Sequence, residues 1–244
     1  MLLLIITKLK GKERIDVFHR KYIIQGRIMI EDFNDLTANE LIFLLPIDQI
    51  KHSLNVAMLV GKLVNWLPEY KTSDKDNLLQ HYGEAAYYHD IGKVCVSPNI
   101  LNKSEALTTE EYKIIRRHTL YAKELLGVNN ETVIEGISSM VLPLVIDAAI
   151  YHHEWWNGKG YPYGLSGLDI PYVARVISVC DAYDAMVSNR SYRQSYTHES
   201  ACEELNRGAG SQFEPTLIKV FLEHEEEVLH ILTNSMCNRY ATLR

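Results

Sequence analysis

At 244 residues the chain can build one well-buried core but is short for two full domains. Hydrophobic residues make up 47% and charged residues 23%, an ordinary globular balance. A net charge of −6 argues against a nucleic acid polymer or an anionic membrane surface as the main partner. The apolar start at residues 1–6 is broken by Lys8 and Lys10. It is too short for a membrane span and lacks the order of a secretory signal. Four widely spaced cysteines (Cys95, Cys180, Cys202 and Cys237) suit buried, reduced thiols in a cytoplasmic protein better than a disulfide framework.

In chain order, Asp16 to Phe33 holds apolar pairs separated by Gly26, compatible with a short hairpin or a broken helix. Thr37-Ala38-Asn39-Glu40 is a capping box that opens a helix through Leu45, and Pro46 resets it. A second helix is expected from about Asp48 to Leu67, ending before Pro68. A polar linker at 71–77 precedes a helix through Leu78–Asp90, and Pro98-Asn99 marks a loop. A second capping box, Thr108 to Glu111, starts a helix carrying Ile114, Ile115, His118, Ala122 and Leu125 on one face until Gly127. Pro143 suits the first turn of a helix reaching His152-His153. Pro171 starts the next, past Asp181 and Asp184 to about Ser188. Thr197 opens another that stops near Gly208, and Pro215 begins a last one running to about Leu232. No alternating strand pattern follows residue 37, so the class is all-α.

The chemistry-bearing residues are histidines and aspartates. His89-Asp90 follows the apolar run Ala85-Ala86-Tyr87-Tyr88, and buried ionisable groups need partners or a metal. His118 lies on an apolar helix face, where a hydrogen-bonded core histidine is the plainer alternative. His152-His153 can direct one ring to each of two sites, since neighbouring helical residues point about 100° apart. Asp181 sits in an apolar stretch, where the alternative to a ligand is an ion pair with Arg175 or Arg190. Asp184 could equally be a helix-stabilising acid. Asp48 and His52 share a helix face at i and i+4. Together these supply five histidines and up to three aspartates from five helical segments, a ligand set for borderline divalent cations. Two such ions about 3.5–4 Å apart can clamp a phosphoryl group in line. The loop from Trp155 to Gly167 is rich in glycine, so its backbone can approach a ligand, and Tyr161 offers a ring to a nucleobase.

The order His89-Asp90-Ile91-Gly92-Lys93, His118, His152-His153-Glu154 and Gly160-Tyr161-Pro162 resembles the HD-GYP family of cyclic dinucleotide phosphodiesterases. The resemblance continues through Ile170-Pro171, Asp181-Ala182-Tyr183-Asp184 and Arg190-Ser191-Tyr192-Arg193, and ends near Gly210–Pro215. It implies a helical HD-superfamily core at 46–222. Before it stands a 1–45 segment without a recognisable sensory domain, and after it a C-terminal helix and tail at 223–244. It further implies two or three divalent ions, iron or manganese, held by His52, His89, Asp90, His118, His152, His153 and Asp181. Asp48 falls where three-metal members carry a glutamate. It is one methylene shorter, but its spacing from His52 favours a third metal.

By the same resemblance Lys93, Gly160, Tyr161, Pro162, Arg190 and Arg193 hold the substrate. Arg193 replaces a lysine common there and so changes the donor geometry. The implied reaction is hydrolysis of cyclic di-GMP by a metal-bridged hydroxide to pGpG, and then to GMP. Asp90 and Lys93 are its catalytic residues. The Gly160-Tyr161-Pro162 loop is an expected contact for a diguanylate cyclase domain. The alternatives are a non-catalytic cyclic dinucleotide receptor and an HD-type phosphohydrolase of another nucleotide, such as cyclic GMP-AMP or guanosine tetraphosphate.

Overall fold

The computed structural model describes residues 33, 35–68, 78–127, 131–188 and 195–231. The expected hairpin or broken helix before Phe33, the polar linker at 71–77, Arg190, Arg193 and Cys237 lie outside the described residues. Among the described residues the chain is all-α and forms no strand.

Helix α1 (Ala38–Ile42) begins with a complete capping box: the Thr37 hydroxyl accepts from the Glu40 N–H, and Glu40 accepts from the Thr37 N–H at 2.8 Å. Helix α2 (Ile47–Trp66) starts directly after Pro46 and stops before Pro68. It buries His52, Asn55, Val56, Leu59, Val60, Leu63 and Val64, a stripe at the three-to-four spacing of a core-facing helix.

The helix expected through Leu78–Asp90 exists in pieces. A 3-10 turn (Leu78–His81) leads into α3 (Tyr82–Tyr87), and a second 3-10 turn spans Ile91–Cys95. The backbone tightens because Tyr88 and His89 donate three residues back, to Ala85 and Ala86, and the His89 side chain takes the Ala86 carbonyl as well. Pro98 and Asn99 belong to a one-turn helix, α4 (Pro98–Leu101), with proline in its first turn.

The helix expected from Thr108 to Gly127 is two helices, α5 (Thr109–Arg116) and α6 (His118–Leu125). Arg117 donates to Ile114 three residues back, and His118 Nδ1 bonds the Ile115 carbonyl at 2.6 Å. The break re-aims the second half. His118, Ala122 and Leu125 are buried, whereas Ile114 is exposed and leaves the face the sequence pattern gave it.

Helix α7 (Glu131–Ile134) is a single turn, and α8 (Leu142–Tyr151) has Pro143 in its first turn. Helix α9 (Tyr172–Val187) begins after Pro171. Helix α10 (His198–Gly208) is capped by Thr197, whose hydroxyl accepts from Ser200. Helix α11 (Pro215–Glu223) ends at His224 instead of continuing to Leu232, although 225–231 is helical again. The break sets the His224 ring flat on Trp66, with centroids 4.4 Å apart.

Helix α2 packs on α3 and α9, and α8 lies against α3, α6 and α9. One contiguous core joins these elements. No described helix is long and apolar enough to cross a membrane. Cys95, Cys180 and Cys202 are free thiols.

Candidate metal centre

The junctions of these helices gather the acids and histidines. Asp90, His118, His152 and His153 present ligand atoms within 4.8 Å of one another, and His52, His89 and Asp181 form a second such group. Asp90 sits between the two. Its Oδ1 is 3.3 Å from His118 Nε2 and 3.8 Å from His152 Nε2, while its Oδ2 is 3.3 Å from His89 Nε2 and 3.8 Å from His52 Nε2. One carboxylate thus turns one oxygen toward each cluster.

The imidazoles are oriented from behind. His89, His118 and His152 use Nδ1 to bond the carbonyls of Ala86, Ile115 and Ala148 at 2.7, 2.6 and 2.8 Å. A carbonyl only accepts, so Nδ1 carries the proton and each neutral ring points an Nε2 lone pair inward. Burial holds His118 at about 4 and His153 at about 3, and pushes His152 well below the usual imidazole range; all three stay neutral at pH 7. With both Nδ1 atoms acting as donors, the 3.3 Å contact between His118 Nε2 and His152 Nε2 brings two lone pairs together. A cation between them is what such an arrangement fits. His89 Nε2 and Asp90 Oδ1 are buried without a hydrogen-bond partner, as expected of atoms reserved for a metal.

His52 differs. Its Nδ1 bonds Asp184 Oδ2 at 2.6 Å and its Nε2 lies 2.9 Å from Asp181 Oδ1. Burial alone would lower its pKa, but the two aspartates outweigh that and raise it to about 9. The same negative potential attracts a divalent cation. Asp181 and Asp90 are themselves held well below the carboxylate range. Burial opposes this, but His52 overrides it at Asp181, and Lys93 with His89 at Asp90. Arg175, considered above as a partner for Asp181, instead pairs with Glu214 at 2.6 Å.

Asp48 is the predicted ligand that the structure does not bring in. Its side chain is 81% exposed and pairs with Lys51 at 3.5 Å, outside both groups. A position in the first turn of α2, one turn before His52, is not enough to aim a short side chain at the cluster. Lys93 is in place: its Nζ lies 2.5 Å from Asp90 Oδ2 and 2.9 Å from Gln49 Oε1.

Gly160-Tyr161-Pro162 lies against the doublet. The Tyr161 ring stacks on His153 with centroids 4.7 Å apart, and the Arg116 guanidinium stands 4.1 Å from the same centroid. The ring expected to meet a nucleobase therefore already has two partners. A Cβ on Gly160 would come within 2.3 Å of Trp155 N and 2.5 Å of Glu154 Cα, so only glycine fits. Gly92 is constrained likewise, since a Cβ there would lie 1.9 Å from the His118 carbonyl oxygen.

The roles of three contributors escaped the sequence reading. Asp184 is fully buried and grips His52 together with Asn55, whose amide donates to it at 2.8 Å. Glu154 is 2% exposed and accepts from the backbone N–H groups of Tyr163, Gly164 and Leu165 at 2.7, 3.1 and 3.0 Å. Arg116 is the third. An acid directly after the doublet and ahead of a glycine-rich loop was the available signal for Glu154; for Arg116 there was none.

A family model for the HD domain matches residues 49–217. A probable cyclic di-GMP phosphodiesterase of Vibrio cholerae is 36% identical over 67% of this chain and 36% of its own length. A 3'3'-cGAMP-specific phosphodiesterase of the same organism is 35% identical over 60% of this chain and 27% of its own. The chain thus spans about a third of the length of these curated relatives. Among solved structures, the HDG"Y"P protein Bd1817 of Bdellovibrio bacteriovorus aligns with a TM-score of 0.54 at 17% identity, covering 82% of this chain and 56% of that one, a likeness of fold. The family match extends over more than half the sequence: the chain belongs to the HD domain family.

Proposed function

We propose that this chain is a metal-dependent phosphodiesterase that opens cyclic di-GMP to linear pGpG. The observation that carries the reading is Asp90, one carboxylate placed to bridge two clusters of inward-facing imidazoles. His118, His152 and His153 would hold one ion and His52, His89 and Asp181 the other, with Asp90 shared. Exposure of Asp48 supports two ions rather than three. A nitrogen- and oxygen-only set fits iron or manganese. Such a pair, when bound, supplies a nucleophilic water at neutral pH and Lewis-acid stabilisation of the phosphoryl oxygens.

The chain's own residues do the rest. Hydrolysis adds water across one phosphodiester and breaks a phosphorus–O3′ bond. Lys93, paired with Asp90, is placed to neutralise the phosphate, and Arg190 and Arg193 would add further charge. Gly160 lets the loop backbone close on the ligand, and Tyr161 fixes that loop over His153. Cyclic GMP-AMP is the second reading, because a relative of nearly equal identity is named for that substrate.

The test is turnover of both cyclic dinucleotides by anaerobically purified, metal-replete protein. The products are separated by chromatography, and Asp90→Ala runs alongside. The expected result is linear product from wild type, with none from the variant, which should also hold less metal at unchanged helicity. Appreciable hydrolysis by Asp90→Ala would defeat the assignment.

A further inference from the structure

A second group of metal-ligating side chains lies away from the main centre. His198 and Cys202 are four residues apart on α10, hence on one face, and Glu225 reaches them from the start of the 225–231 segment. Their donor atoms all fall within 4.8 Å of one another. Cys202 Sγ is 3.8 Å from the His198 ring nitrogens. A tetrahedral zinc with Zn–S of about 2.3 Å and Zn–N of about 2.0 Å holds those two atoms roughly 3.5 Å apart. The sulfur–nitrogen separation is within a few tenths of an ångström of that, and because Sγ is equidistant from the two ring nitrogens, a turn of the Cys202 side chain is what brings it to the Nε2 side.

The histidine is also oriented for the task. His198 Nδ1 meets the hydroxyl of Tyr183 at 2.8 Å, a buried residue of α9. With Nδ1–H donating to that oxygen, Nε2 keeps its lone pair, whose neighbour is the Cys202 thiol at 3.8 Å, the arrangement in which outer-shell partners fix metal-binding histidines.

We propose that His198, Cys202 and Glu225 form a separate site for a zinc-class divalent cation, tying α10 to the 225–231 segment. The thiolate sets it apart from the main centre, whose donors are nitrogen and oxygen throughout, and a sulfur ligand selects a softer ion than iron or manganese sites do. On binding, the Cys202 thiol proton leaves to solvent as the metal–sulfur bond forms, and water completes the fourth position. Glu225 is exposed, so the site is open to loading in the folded protein. Tyr183 lies between Asp181 and Asp184 in sequence, so the tie braces the helix that carries both.

Because the main centre contains no sulfur, a thiolate-to-metal charge-transfer band reports on the second site alone. The experiment is titration of the 244-residue chain, prepared free of zinc with manganese in the main centre, with cobalt(II), followed in the near ultraviolet; zinc is added to separate samples. Parallel titrations use Cys202→Ser and Glu225→Gln, and elemental analysis follows zinc loading. The expected result is a band saturating near one equivalent in wild type, absent from Cys202→Ser, and shifted to at least tenfold weaker affinity in Glu225→Gln. Zinc content should fall by one per chain in Cys202→Ser. No band in wild type, a band persisting in Cys202→Ser, or an unchanged titration in Glu225→Gln each overturns the three-ligand site. Glu225 is at the surface, so its variant keeps the test decisive even if Cys202→Ser folds poorly.

Discussion

Glu154→Gln tests whether one buried carboxylate holds the loop beside the metal centre. Oε1 accepts from Tyr163 and Gly164, and Oε2 accepts from Leu165. A glutamine can keep its carbonyl oxygen toward the first two donors, but its amide nitrogen then faces the Leu165 N–H, donor to donor. Charge-assisted hydrogen bonds are worth about 1.5–3 kcal/mol each, and the remaining two also lose their charge. The loop is partly exposed, so water recovers some of this. A local loss of about 2 kcal/mol is expected, equivalent to roughly thirtyfold in an opening equilibrium. Amide hydrogen exchange reads it directly: the Leu165 amide should exchange about thirtyfold faster, Tyr163 and Gly164 less so, and the α2 and α9 amides not at all. Equal exchange at Leu165 in variant and wild type would refute the clamp.

Replacing Gly92 with alanine should force the Ile91–Cys95 turn off α6, because the new Cβ meets backbone at 1.9 Å. A cost of about 3 kcal/mol or more is expected, a fall in Tm of roughly 6–12 °C by thermal denaturation; a shift under about 1 °C would contradict the packing. Asp48→Ala should leave metal content per chain unchanged by elemental analysis, since Asp48 is exposed and paired with Lys51; loss of one ion would restore it as a ligand. In chelated, metal-free protein, acid should destabilise the fold through His118 and His153. Their folded values of about 4 and about 3 lie below the unfolded 6.5, so the unfolded chain binds more protons in between. Their contribution is full above pH 6.5 and falls by up to about 1.4 kcal/mol per group per pH unit below it. His52, raised to about 9, acts the other way and loses its contribution as pH rises through about 9. A flat Tm of the chelated protein between pH 7 and 5 would contradict the neutral, buried histidines.

The helix starts were legible because they are written locally. Thr37 with Glu40, Thr108 with Glu111, Thr197, and the prolines at 46, 143, 171 and 215 each act within one turn, and the structure uses all of them. Helix interruptions were not. The break at Arg117 and the pieces around Tyr82–Tyr87 depend on where a histidine side chain finds its acceptor, which hydrophobic spacing does not encode. The same holds at His224, where stacking on a tryptophan from α2 accompanies the break. At the site, residue types and order picked out the residues that the fold gathers, but not their division, since His152 and His153, expected to face one ion each, fall in the same group, nor the acids behind them. Asp184 could be read as a helix acid until Asn55 and His52, more than a hundred residues earlier, were seen to converge on it. At Asp48 the spacing along the helix was legible but the direction of the side chain, exposed and paired with Lys51, was not.

The imidazoles at the site share one orienting device. The last four carbonyls of a helix lack an intrahelical donor. Ala86, Ile115 and Ala148 lie in the last turns of α3, α5 and α8, and each of these carbonyls takes the Nδ1 proton of His89, His118 or His152. A histidine at or just past a helix end therefore reaches the second lone pair of a carbonyl that already takes a backbone N–H, as Ala86 does from His89 and Ala148 from His152, and by the same bond turns its Nε2 lone pair into the centre. His52 is oriented otherwise. It sits in the first half of a twenty-residue helix, away from either end, and its Nδ1 takes an acceptor from elsewhere in the fold. Asp184 supplies it, which explains why a fully buried carboxylate outside both ligand groups stands on the same helix as Asp181. Three of the five histidines are aimed by carbonyls at helix ends, and His52 by an acid that the packing of α9 on α2 delivers.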